Sequence, residues 1–98
     1  MPQITYRVFV GEAMVGVVVD TRTDFPAIVG KFEPTEDFEP LRQLFEQEYQ
    51  LLHSNELIEW EKVRKELRSR GIRIESDKKE HIFRNPLVHI DGEKIWWR

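Results

Sequence analysis

Residues 87–98 constrain the chain more than any other segment. The runs Leu87-Val88-His89-Ile90 and Glu93-Lys94-Ile95-Trp96-Trp97-Arg98 flank Asp91-Gly92, and Asp-Gly between two β-rich runs is the sequence of a two-residue hairpin turn. Side chains alternate across a strand and opposed residues share a face, so such a turn sorts its whole neighbourhood into two faces. With the turn at Asp91-Gly92, Ile90 stands opposite Glu93, His89 opposite Lys94, Val88 opposite Ile95 and Leu87 opposite Trp96. One face then carries Val88, Ile90, Ile95 and Trp97 and is expected to form core. The other carries Leu87, His89, Lys94, Trp96 and Arg98.

The first thirty-odd residues are also β in pattern. Ile4-Thr5-Tyr6-Arg7-Val8-Phe9-Val10 alternates with period two, as a half-buried strand does. Gly11-Glu12-Ala13 is expected to turn, residues 14–20 to return as a Val-rich strand, and residues 21–26 to form a polar loop. Residues 27–33 suit a third strand, with Gly30 marking a bulge or a close contact.

Two helices are expected in the middle. Phe38, Leu41, Phe45, Tyr49 and Leu52 recur at three- and four-residue spacing, a single apolar stripe. Pro40 is tolerated only in a first turn, which favours Asp37 as the cap, with Thr35 the other candidate. Ser54 or Asn55 is expected to cap a second helix burying Leu57, Trp60, Val63 and Leu67, supported by Glu61–Lys65 and Glu66–Arg70 pairs and stopped by Gly71. Short runs at 72–75 and 81–84 precede the hairpin. The expected fold is a single α+β domain over 1–98, of order βββααβββ. Its antiparallel sheet has about five to six strands, with two antiparallel helices packed on one face.

Composition narrows the function classes. The 98 residues contain no cysteine, which excludes disulfides, thiol nucleophiles and thiolate metal sites. Three Trp, two Tyr and six Phe suffice for one core. The longest mainly apolar run, residues 13–19, falls far short of the about 20 residues a helical membrane span requires. Met1-Pro2-Gln3-Ile4 has neither a charged nor an apolar leader region, so a cytoplasmic address is the expectation. The net charge of −3 argues against a dedicated nucleic-acid binder. It nonetheless conceals an acidic first half and a basic stretch over 62–79 that reads as a solvated helix face and turn.

No phosphate loop, dinucleotide fingerprint or serine elbow is present. His53, His81 and His89 lack ligand spacing, so no metal and no cofactor is expected. Asp20, Asp24, Glu33, Glu36, Asp37 and Glu39 offer carboxylates for acid–base work on a small molecule, but caps and solvated loops account for them more simply.

The candidate binding surface is therefore the sheet face that two helices on one side leave bare: Arg7, Phe9, Val18, Leu87, His89, Lys94, Trp96 and Arg98. Large apolar groups rimmed by cations mark an interaction site. The expected use is self-association into a homodimer or docking of another protein. Single-stranded nucleic acid stacked on Phe9 and Trp96 is the alternative.

The elements Asp24-Phe25-Pro26, Gly30, Phe32, Pro34-Thr35 and Phe38-Glu39, with His89-Ile90-Asp91-Gly92 and Trp97-Arg98 downstream, resemble a pattern in small uncharacterised bacterial proteins. Such proteins often carry Trp after the Pro, where this chain has Ala27. The resemblance implies a bacterial cytosolic origin and no particular mechanism.

Overall fold

A computed structural model describes residues 4–98, so the expectation placed on Met1-Pro2-Gln3 lies outside the described residues. In chain order the elements are β1 (Tyr6–Val10), β2 (Ala13–Asp24), β3 (Ala27–Pro34), a 3-10 turn (Glu36–Phe38), α1 (Glu39–His53), α2 (Leu57–Ser69), β4 (Ile72–Ser76), β5 (Ile82–Arg84), β6 (Val88–Asp91) and β7 (Lys94–Trp97). All strands join one antiparallel sheet of order β5-β4-β1-β2-β3-β7-β6.

The α+β class and the two helices agree with the sequence reading, but the strand count is seven rather than five to six. Asn85 takes a left-handed φ of +48° and Pro86 has no N–H to donate, so they part β5 from β6. β5 then pairs with β4, not with the strand that follows it.

The sheet curls until distant strands meet across its inner side. The Tyr6 ring on β1 lies 5.1 Å from that of Trp97 on β7, and Phe83 on β5 lies 5.8 Å from the same Trp97. Both contacts are edge-on, the arrangement aromatic quadrupoles favour. Val88, Ile90, Ile95 and Trp97 are all buried, as the hairpin faces require. They line this inner side, where Tyr6 and Phe83 cover Trp97 from strands of the same sheet. Phe32 continues the cluster to Phe38 and Phe45, at centroid distances of 4.9 and 5.7 Å.

The hairpin pairs two residues out of the expected register. Val88 faces Trp97, His89 faces Trp96, Ile90 faces Ile95 and Asp91 faces Lys94. The loop is Gly92-Glu93, with Gly92 at φ +60° in the first loop position, as a type II′ turn demands and a type I′ turn led by Asp91 does not. A shift of two residues leaves the face assignments intact.

Two irregularities in β2 shape the sheet. The register with β1 slips between Val8 and Phe9, leaving Val15 without an opposite residue. Its carbonyl accepts the Thr35 N–H at 2.9 Å, and the Thr35 hydroxyl donates to the Met14 carbonyl at 2.7 Å. Thr35 therefore ties the approach to α1 onto the bulge and does not cap it; Asp37 lies inside the 3-10 turn, and Pro40 occupies the first turn of α1. The second slip lies between Val19 and Arg22, where Asp20 adopts φ +52°. β2 thus continues to Asp24 through residues expected to be loop, with the exposed Phe25-Pro26 at the hairpin tip. Gly30 sits under Val18 and the Val19 carbonyl, and Gly16 under the Phe32 ring, so a side chain at either position would collide.

α2 follows α1 through a tight turn at Asn55, φ +60°, and packs back on it. Its buried face is Val63 and Leu67, with Trp60 half-buried, whereas Leu57, expected inside, is exposed. The Glu66–Arg70 pair forms at 3.0 Å.

Candidate functional site

α1 runs along β6 and reaches both of its faces. Phe45 turns to the inner cluster, while Glu48 and Tyr49 meet the outer face, where the hairpin presents His89 and Trp96. The surface expected to be bare is therefore split in two. Its β6–β7 end lies under α1, while Arg7 and Lys31 at its β1–β3 end are exposed.

Each expected binding residue can be placed. Arg7 is exposed, 3.5 Å from Asp77. Phe9 is half-buried beneath the Arg73 guanidinium, 4.6 Å from the ring centre. Arg73 Nε lies 3.3 Å from a Glu75 oxygen without the alignment of a hydrogen bond. Val18 is a correction: it pairs with Tyr6, shares that residue's inner face and is 0 % exposed. Leu87 is half-buried and Arg98 exposed, their backbones exchanging two hydrogen bonds. Lys94 is exposed with its ammonium 5.1 Å over the Trp96 ring, and Trp96 is half-buried with Tyr49 edge-on at 5.6 Å. His89 is the second correction: it faces outward from the sheet but is only 6 % exposed, because α1 covers it.

His89 belongs to a polar cluster that joins three elements. Its Nδ1 lies 3.0 and 2.9 Å from the two carboxylate oxygens of Glu48, which is wholly buried. The Trp60 indole N–H on α2 donates to Glu48 Oε2 at 2.6 Å. Arg64, one turn further along α2, is half-buried; burial pushes its guanidinium below the ordinary value, and attraction to Glu48 opposes that. A buried carboxylate is costly unless its lone pairs are satisfied, and here two donors and a nearby cation do so. A carboxylate only accepts, so the imidazole proton sits on Nδ1.

The residues missed from sequence are Glu48, Trp60 and Arg64. Glu48 carried a signal, since it continues the buried stripe of Leu41 and Phe45 along α1, and an acid on such a stripe demands a partner. Only the fold could identify that partner, 41 residues away. The acidic residues considered for catalysis are dispersed instead: Asp24 lies at the hairpin tip, Glu33 on β3, and Glu39 is engaged by Arg42 at 2.7 Å. That hydrogen bond and the adjacent charge hold the Glu39 carboxyl below its ordinary range. Among the described residues no group of three or more His, Asp or Glu is placed to hold a metal, and no helix is long and apolar enough to cross a membrane. No family model matches the chain, and neither the curated proteins nor the solved structures give a match.

Proposed function

We propose that the protein is a non-enzymatic interaction module that pairs with a second copy of itself through the outer side of the sheet. One observation carries this reading: Phe9, Val17, Val19 and Val29, all half-buried, share the outer face of β1, β2 and β3. Trp96 extends the row on β7, opposite Val29. Arg7, Lys31 and Lys94 stand beside it. A two-fold dimer needs only one such self-complementary patch.

Base stacking is the weaker use of the same face, because Arg73 and Lys94 already lie over the Phe9 and Trp96 rings. Sedimentation across a concentration series tests the proposal. A reversible dimer is expected, and Val17→Lys should dissociate it without changing the circular dichroism spectrum. A strict monomer at the highest soluble concentration would overturn it.

A further inference from the structure

We infer that His89 is a nucleophilic imidazole and a modification site, with Nε2 open to small acyl electrophiles and Nδ1 held by Glu48. This goes beyond the dimer and does not depend on it. Three observations meet at one ring. Glu48, fully buried, approaches Nδ1 with both oxygens, which fixes the tautomer and leaves the Nε2 lone pair free. Trp60 donates to the same carboxylate and fixes its orientation, so the ring rests on a supported partner. Nε2 has no hydrogen-bond partner among the described residues, and it is absent from the fully sealed, unpartnered buried atoms, which are Arg73 Nε and Trp97 Nε1. The His89 side chain keeps 8 % exposure, and Nε2 is the ring nitrogen that Glu48 does not engage.

A carboxylate on one imidazole nitrogen raises the reactivity of the other by stabilising the positive charge that develops during attack. With diethyl pyrocarbonate, the Nε2 lone pair forms a bond to one carbonyl carbon. The anhydride C–O bond breaks, and ethyl carbonate leaves with the bonding pair. The ring is cationic until its Nδ1 proton passes to the Glu48 carboxylate that already accepts its hydrogen bond.

Exposure alone gives the opposite order of reactivity, since His53 and His81 are exposed and His89 is buried. Timed treatment of the folded protein with diethyl pyrocarbonate, read by peptide mass spectrometry, separates the two. His89 is expected to react about tenfold faster than His53 or His81, and Glu48→Gln to remove most of that advantage, the effect typical of losing an orienting carboxylate. Modification of His53 and His81 first, or of His89 only when urea unfolds the chain, would overturn the inference. Nitrogen NMR of the wild-type imidazoles decides independently of any variant: the Nδ1–H form is expected for His89, and an Nε2–H form sinks the proposal.

Discussion

The two buried regions of this molecule are built on opposite chemistry. Inside the curl, Trp97, Tyr6 and Phe83 meet ring against ring, and even the Trp97 indole N–H has no hydrogen-bond partner among the described residues. At the junction of α1, α2 and β6, the buried groups are a carboxylate, an imidazole and an indole N–H, joined by hydrogen bonds. The first region tolerates imprecise direction as long as volume is filled, because burial of apolar area is non-directional. The second allows one arrangement only, since each donor needs its acceptor. Apolar packing thus supplies bulk stability, while the polar junction sets where the helical hairpin sits on the sheet edge.

The largest expected effect breaks the apolar side. Trp97→Ala should cost about 4 kcal/mol, the range for a buried large aromatic, read as a lowered urea midpoint. A loss under about 1 kcal/mol would mean that the inner cluster collapses around the gap.

The polar side gives a different signature. Glu48→Leu leaves the His89 and Trp60 donors and the Arg64 charge without their partner, and should cost about 3 kcal/mol. The triple change Glu48→Leu, His89→Leu, Trp60→Phe should recover most of that, because removing every member of a buried polar set is far cheaper than removing one. Simple addition of three single losses would show that the junction is ordinary packing.

The smallest effect concerns Tyr6, whose phenol burial pushes above its ordinary value. The unfolded chain releases this proton at about pH 10 and the folded chain only at higher pH, so the folded state binds more protons in between. Stability should fall as pH rises from about 10 upward, and Tyr6→Phe should flatten that limb while leaving neutral-pH stability nearly unchanged. Identical alkaline profiles for the two proteins would rule the effect out.

Local pattern revealed a good part of this fold and little of its junction. The alternation of residues 87–98 separated Trp97 from Trp96 correctly, and it survived a wrong register because a two-residue slip preserves parity. The helical stripes were visible because their period is local. The curl was not, since it depends on Tyr6, Phe83 and Trp97 meeting from three strands. Nor was the fate of Val18, whose face follows from where the Gly11 turn falls and from the bulge at Val15. His89 read as a surface residue because its strand parity pointed outward, and parity does not report that a helix lies there.

The position of α1 along β6 has a consequence for how the protein behaves at high concentration. An unpaired strand edge recruits further strands, and proteins that fail to block both edges of a sheet risk open-ended fibres. Here α1 lies against one terminal strand. The other, β5, is three residues long, ends at Arg84 and is cut off by Pro86. Growth by strand addition therefore has almost no template at either end.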